Sequence, residues 1–341
     1  MRAIVYETGG VDALHIQEIP DPQPDGGEVL VRVKACAMNH LEAWATKDPT
    51  QQRPDGPRIL GADVAGVVEK LGPGVAGYSP GDRVLVAPGI SCNQCELCHL
   101  GMHSDCLEYK LLGVRVDGGY SELMRIPAVN LAPLPDNVSF EDGASIPLVF
   151  ITAWRMLVEK AKIQPGDWVL VNAAGSGVGI AAIQLAKLFG ARVVTTASTE
   201  AKRSKGIELG ADAAVDYTQP GWPQEVERIA DGRGVDIAAD SVGGQILAET
   251  MAAMARGGRI VNCGFTAGTQ SDFDWASFRG RRLSLEWSFM GSNGYLNEVM
   301  KFVQTGQIKP VIHRVFPFEQ VQDAHHAMIN RENFGKIVLT W

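Results

Sequence analysis

The sequence lacks any run of the 18 or so apolar residues that a bilayer-crossing helix requires, so nothing in it asks for a membrane. Its opening, Met1-Arg2-Ala3-Ile4-Val5-Tyr6, reads as the start of a strand and not as a signal peptide. An excess of basic residues is missing too. With 31 Lys and Arg against 39 Asp and Glu, the net charge is −8, which argues against a nucleic-acid surface as the main partner. Cysteine is scarce, and four of the six cysteines fall within residues 92–106, a pattern that suits a metal site in a reducing compartment better than a disulfide scaffold. Internal repeats and low-complexity segments are absent. What remains is an ordinary globular balance, 45% apolar and 21% charged over 341 residues, long enough for about two domains and expected in the cytoplasm.

The stretch that organises the chain spans residues 167–198. An apolar run at 168–171 is too short for a helix and suits a strand buried on both faces. A glycine turn follows, Gly175-Ser176-Gly177-Val178-Gly179, then helical spacing through Ile180, Ile183, Ala186 and Lys187, with Gly190 placed to stop the helix. Residues 191–197 form the next strand. This strand, turn, helix and strand unit lays a dinucleotide pyrophosphate on a helix N-terminus, where unpaired N–H groups and the helix dipole favour negative charge. The fingerprint is not strict. Counting back from Gly179, the two earlier glycine positions hold Ala174 and Ser176.

The acidic residue that would bind the ribose hydroxyls of NAD is also missing from the strand end. Ala197, Ser198 and Thr199 stand there, followed by Glu200, Lys202, Arg203 and Lys205. A carboxylate would repel a 2′-phosphate, whereas a hydroxyl and a cation bind it. Each charge-assisted hydrogen bond is worth roughly 1.5 to 3 kcal/mol, or about ten- to a hundred-fold in affinity. The expected cofactor is therefore NADPH, with Ser198 and Lys202 at the phosphate.

Around this unit the chain changes character. Residues 1 to about 150 hold short β segments, at 3–6, 29–35, 65–70 and 83–87, separated by turn-rich stretches at 20–27 and 72–81, and read as a small antiparallel barrel-like domain. From about Thr152 helix and strand alternate. Further helices are expected at 201–209, 224–230 and 245–255, and strands at 213–217, 235–240, 259–263 and 282–290, making an α/β doubly wound parallel sheet of six strands. The tail after Gly291 holds another helix and β segments at 311–316 and 336–339, and is expected to return to the first domain. Cys263 ends one of the sheet strands on the side where ligands collect, its backbone mattering more than its thiol.

Cys92, Cys95, Cys98 and Cys106 are spaced C-x2-C-x2-C-x7-C. Four thiolates satisfy a tetrahedral Zn2+ with no position left for water, so such a site is structural. An iron–sulfur cluster shares the opening spacing, but its fourth cysteine comes sooner and precedes proline. Unmetallated thiols are the other alternative.

Taken together, these parts resemble the medium-chain dehydrogenase/reductase superfamily over essentially the whole chain. The landmarks are Val33-Lys34-Ala35-Cys36-Ala37-Met38-Asn39-His40, Gly61-Ala62-Asp63-Val64-Ala65-Gly66-Val67-Val68, Gly81-Asp82-Arg83-Val84, the cysteine lobe, the glycine turn and Gly335-Lys336-Ile337-Val338-Leu339. The resemblance implies a GroES-like catalytic domain at 1–149 and 291–341, carrying a structural zinc lobe at about 88–108, and a Rossmann domain at 150–290. It further implies a cofactor in the cleft between domains and a homodimer or homotetramer joined through the strand near 282–290.

Alcohol-dehydrogenating relatives hold a catalytic zinc with a cysteine where this chain has Asn39, a histidine at Ala62, a carboxylate at Asp63 and a further ligand at about Leu148. Asn, Ala and Leu cannot supply the thiolate and imidazole donors that Zn2+ favours. Simple alcohol oxidation then loses its alkoxide stabiliser. The run Asn39-His40-Leu41-Glu42-Ala43-Trp44 looks like that of the zinc-free quinone and enone reductases of the superfamily, which pass hydride to an electron-poor carbon. There the charge spreads over an enolate that hydrogen bonds can hold.

Within that run Asn39 is the candidate donor to the substrate carbonyl or nicotinamide, the alternative being a loop asparagine bonding its own backbone, and Trp44 is a pocket wall or an ordinary core residue. The His40 position faces the pyrophosphate in relatives or is structural, Thr152 lies beside the nicotinamide or caps a helix start, and Tyr217 flanks the adenosine phosphate or is packing, while Lys336 reaches the cofactor from the returning tail. No general acid stands out. The alternatives are a NADP-dependent alcohol or aldehyde dehydrogenase and a NADPH-binding protein with little turnover.

Overall fold

The computed structural model of the chain describes residues 1–7, 9–47 and 57–341. These divide into two compact units, Met1–Leu148 with Ser292–Trp341, and Val149–Gly291.

In the first unit one long strand, Glu28–Ala37, is the hub. Its apolar residues face inward with little interruption, and it pairs antiparallel with Asp63–Leu71, Leu123–Pro127 and Lys336–Thr340. The sheet path runs Leu131–Pro133, Arg83–Val86, Asp63–Leu71, Glu28–Ala37, Lys336–Thr340 and Ile312–Pro317. Ala37, the last residue of the hub, lies opposite Asp63 on one side and Val338 on the other. Just beyond it the Met38 N–H donates to the Ile337 carbonyl at 2.8 Å. Three segments distant in sequence are thereby brought to the same strand end. The tail also holds two helices where one was expected, Gly294–Gln304 and Val321–Ile329, the second making the crossover between the parallel strands Ile312–Pro317 and Lys336–Thr340.

The second unit is a six-stranded, all-parallel sheet in the order Ala213–Val215, Arg192–Thr196, Trp168–Val171, Val235–Asp240, Met254–Asn262, Ser284–Trp287. With strands numbered along the chain this is 3-2-1-4-5-6, the doubly wound order that reverses beside the first strand. Two boundaries depart from the periodic reading. Met254–Asn262 starts before residue 259 because Met254 already pairs with Val235; residues 255–258, with Gly257 at φ 79°, form an irregularity before the pairing resumes at Arg259 opposite Ile237. Ser284–Trp287 is shorter than residues 282–290 because Arg282, with φ 56°, ends a helix that went unread, Trp275–Arg281, capped by the Asp274 carboxylate.

The Gly177–Leu188 helix starts where the glycine turn places it. Ser176 caps it by accepting the Gly179 N–H at 2.9 Å, and Gly190, with φ 76°, follows its end. The left-handed residue of the turn is Ala173, with φ 63°, whose N–H donates to Thr196 Oγ1 on the next strand. Among the described residues no helix is long and apolar enough to cross a membrane.

A Cβ at Gly179 would lie 2.2 Å from the Ala173 carbonyl oxygen, so the turn and the helix approach more closely than any side chain permits. Gly179→Ala is expected to lower stability by roughly 1–3 kcal/mol, the usual cost of overpacking, as read from the urea midpoint at unchanged slope.

Candidate active site

At the hub strand's end, four polar side chains meet under almost complete burial: Asn39, Glu42, Asp63 and Lys336. Helix His40–Lys47 begins directly after Asn39, so Glu42 turns back to its own helix start and accepts the Asn39 N–H at 2.7 Å. Its other oxygen accepts the Ala62 N–H at 3.0 Å. Asp63 accepts the Leu148 N–H at 2.7 Å with one oxygen. The other oxygen accepts Asn39 Nδ2 at 3.0 Å and Lys336 Nζ at 2.9 Å. Lys336 Nζ also donates to Asn39 Oδ1 at 2.5 Å, closing a ring of three side chains drawn from residues as far apart as 39 and 336.

The cluster's charges are set by burial. Desolvation raises Glu42 from 4.5 to about 7, opposed by the Lys336 charge and by the two backbone N–H groups it accepts. Desolvation also holds the thiol of Cys36 and the phenol of Tyr120 well above their ordinary values, so both stay neutral.

These residues do not fit a catalytic zinc. Ala62 has no donor atom and Leu148 offers only an N–H, already given to Asp63. The other oxygen of Asp63 is held by the Lys336 ammonium and the Asn39 amide. One carboxylate beside a fixed cation cannot bind a second cation that needs three protein ligands.

The cysteine lobe is the opposite case. The sulfurs of Cys92, Cys95, Cys98 and Cys106 all lie within 4.8 Å of one another, with separations of 3.9 Å for 92 to 98, 3.5 Å for 95 to 98, 3.8 Å for 95 to 106 and 3.6 Å for 92 to 106. A tetrahedral ion with bonds of about 2.3 Å sets its sulfurs about 3.8 Å apart, so the donor set and its spacing fit Zn2+. The backbone N–H of Gln94 helps pull the Cys92 thiol down to about 6, toward the thiolate that metal binding needs. His103 turns away to Ser292 Oγ at 2.8 Å, and His99 is exposed.

In the second unit, Gly175, Ser176, Gly177 and Val178 are half-exposed over the start of their helix, whose first N–H groups have no intrahelical acceptor. Beyond the Arg192–Thr196 strand, Ser198 is exposed and Thr199 caps the next helix by accepting the Lys202 N–H. Arg203 is committed inside the protein. It pairs with Glu200 at 2.8 Å and Asp216 at 2.9 Å and donates to the Ala197 carbonyl. Tyr217 packs on the apolar core of the sheet. Cys263 donates its N–H to the Asp240 carbonyl, while desolvation pushes its thiol far up.

Comparison with known proteins supplies the family. A model of the alcohol dehydrogenase GroES-like domain matches residues 25–136, and one of zinc-binding dehydrogenases matches residues 177–305. A zinc-type alcohol dehydrogenase-like protein of Schizosaccharomyces pombe is 31% identical over 99% of both chains. The chain belongs to the medium-chain dehydrogenase/reductase superfamily. Human quinone oxidoreductase is 28% identical over 99% of this chain and 97% of its own. A solved structure of a NAD-dependent alcohol dehydrogenase is 44% identical over the whole of both chains, with a TM-score of 0.95.

As a member of this superfamily the protein is an oxidoreductase, with the GroES-like and Rossmann folds on which the family uses NAD(P) and zinc. Asn39 and Lys336 meet directly, whereas Trp44 and His40 stand on the following helix with ring centroids 6.5 Å apart. Thr152 lies inside the Pro147–Trp154 helix rather than capping it, and donates to Met290 Sδ at 3.9 Å. The sequence reading missed Glu42 and the pairing of Asp63 with Lys336. The available signal was a lysine opening an otherwise apolar strand.

Two outcomes follow for this site. The purified chain is expected to carry one zinc by elemental analysis, and Cys98→Ser to lose it, since three thiolates leave the tetrahedron open. Folding raises the Glu42 carboxyl, so the folded chain keeps a proton that the unfolded chain gives up. The resulting stability is complete below pH 4.5 and lost as pH rises through about 7. Raising the pH from 5 to 8 should therefore lower the wild type's unfolding free energy in urea by roughly 2–3 kcal/mol more than that of Glu42→Gln.

Proposed function

We propose that this oxidoreductase transfers hydride from NADPH to a quinone or an α,β-unsaturated carbonyl, with no metal at its reaction centre. The observation that carries the reading is the Lys336–Asp63–Asn39 ring, which has a fixed ammonium in it and ties up Asn39 and Asp63, two of the positions that the resemblance assigns to zinc ligands in relatives. A conjugated acceptor suits such a site. Hydride addition to its electron-poor carbon places charge on an oxygen, and N–H donors can stabilise that oxygen without a Lewis acid.

Asn39 and Lys336 keep 8% and 4% exposure, while Asp63 and the neighbouring Glu42 have none, so the first two are the candidates to meet a ligand. Gly175, Ser176, Gly177, Val178 and Gly179 would hold the pyrophosphate. His40, Thr152, Tyr217 and the backbone at Cys263 would line the rest of the cofactor, with Trp44 against the acceptor. Exposed Ser198 and half-buried Lys202 support NADPH, and the strand end before them offers no carboxylate to a 2′-hydroxyl. Arg203, neutralised by Glu200 and Asp216, is left out of that phosphate site. The relation to quinone oxidoreductase favours the same chemistry.

A structural zinc in the cysteine lobe belongs to the same reading, as does a homodimer or homotetramer. The edge strand Ser284–Trp287 leaves Leu285 and Trp287 39% and 54% exposed, a surface suited to pairing with a second copy. A second reading, NAD-linked alcohol oxidation, is favoured by the 44% identity to a NAD-dependent alcohol dehydrogenase.

Steady-state assays of quinones, enones and enoyl thioesters with NADPH and with NADH separate the two. The proposal expects turnover of at least one conjugated acceptor, a lower KM for NADPH, and insensitivity to a chelator that leaves the lobe's zinc in place. Chelator-sensitive oxidation of simple alcohols with NAD+ and inertness to all these acceptors would replace it with the second reading.

A further inference from the structure

We infer that Lys336 is the catalytic electrophile of this site, its ammonium holding the oxygen that gains negative charge when hydride arrives. The inference rests on the reductase reading above and assigns the stabilising contact within it. The ring's donors can be counted. Of the three N–H bonds on Lys336 Nζ, one goes to Asn39 Oδ1 at 2.5 Å and one to Asp63 Oδ2 at 2.9 Å, and among the described residues no protein acceptor takes the third.

Asn39 has less to offer. One of its Nδ2 hydrogens is given to Asp63, and its nearest other acceptor is the Ala37 carbonyl at 3.5 Å. A charged N–H is also the stronger donor, roughly twice a neutral amide. Asp63, locked by the Leu148 N–H, and Asn39 hold the ammonium from two sides. Glu42, Cys36 and Tyr120 are the other titratable groups around this strand end; the last two are kept neutral by burial and Glu42 holds its proton below about pH 7, so Asp63, joined by Glu42 only above that pH, is the anion that faces Lys336. A hydrogen-bonded cation with a spare N–H, fixed before the reaction, is what a developing enolate oxygen requires.

The step balances without a metal. The C4–H bond of the dihydronicotinamide breaks and its electron pair forms a C–H bond at the acceptor's electron-poor carbon, while the π pair moves through the conjugated system onto oxygen. Lys336 hydrogen-bonds that oxygen, which then takes one proton from water. NADPH is oxidised to NADP+ and the acceptor gains two electrons and two hydrogens.

The test uses the full chain with NADPH and two acceptors, 2-cyclohexen-1-one and 1,4-benzoquinone, comparing wild type, Lys336→Met and Lys336→Arg. The Met variant should lose about 100-fold or more in kcat, as for removal of one oxyanion donor. Its NADPH dissociation constant should stay within about threefold of wild type, and the Arg variant should recover about tenfold of the loss, because it keeps a charged donor. Should Lys336→Met not fold, Asp63→Asn with Lys336→Met removes both charges and carries the same comparison.

A Met variant with wild-type kcat overturns the inference and leaves the reductase reading standing. So does a loss confined to weaker NADPH binding at unchanged kcat, which would make Lys336 a cofactor-binding residue only. A wild-type chain that binds NADPH and reduces neither acceptor nor any other conjugated one removes the reading, and the inference with it.

Discussion

The ion pair between Lys336 and Asp63 is the interaction around which the first unit's chemistry is arranged. Its oxygen and nitrogen are 2.9 Å apart, and the two side chains are 5% and 0% exposed. Moving both charges out of water costs several kcal/mol per ion, which mutual attraction offsets only when the remaining hydrogen-bonding capacity is also met. Here the Leu148 N–H meets the far oxygen of Asp63 and Asn39 spans both partners. An apolar trio would pack in the same space with less desolvation. That the chain holds a charged ring under near-complete burial at a strand end is an argument for chemistry over stability.

The ring exists because of sheet register. Ala37 is paired with Asp63 and with Val338, so both neighbouring strands deliver a polar residue just where the hub strand gives way to the helix that begins at His40. A slip of one residue in either pairing would turn Asp63 or Lys336 to the opposite face of the sheet and leave its partner buried and alone. The cost of such an orphaned charge, some 3–5 kcal/mol, makes the site a register lock for the fold as well as a site.

The same geometry explains what could be read in advance. The parallel sheet was legible because its signals are local: buried apolar runs at Trp168–Val171 and Val235–Asp240, a glycine turn, and a capped helix between strands. The cysteine lobe was legible for the same reason, its ligands falling within fifteen residues whose spacing alone allows one ion to be shared. The charged ring was not, since 24 and 297 residues separate its members from Asn39 and no periodicity links them. Local misreadings have equally physical causes. Met254 joins the sheet ahead of an irregular stretch at 255–258 that no periodicity announces, and Arg203 looks like a free cation until Asp216, just past the next strand, pairs with it.

Arg203 and Lys336 show how little a basic residue's identity says before its partners are known. Arg203 has carboxylates on both sides, Glu200 and Asp216, and its fork is also tied to the Ala197 carbonyl, so its charge is spent on holding a helix start against the sheet. Lys336 has one carboxylate and one amide, and a tetrahedral ammonium with three donors cannot be exhausted by two acceptors. The difference is one of valence rather than of charge. A fully paired cation stabilises what is already there, whereas Lys336, left an acceptor short under near-complete burial, keeps one N–H that no described protein oxygen takes.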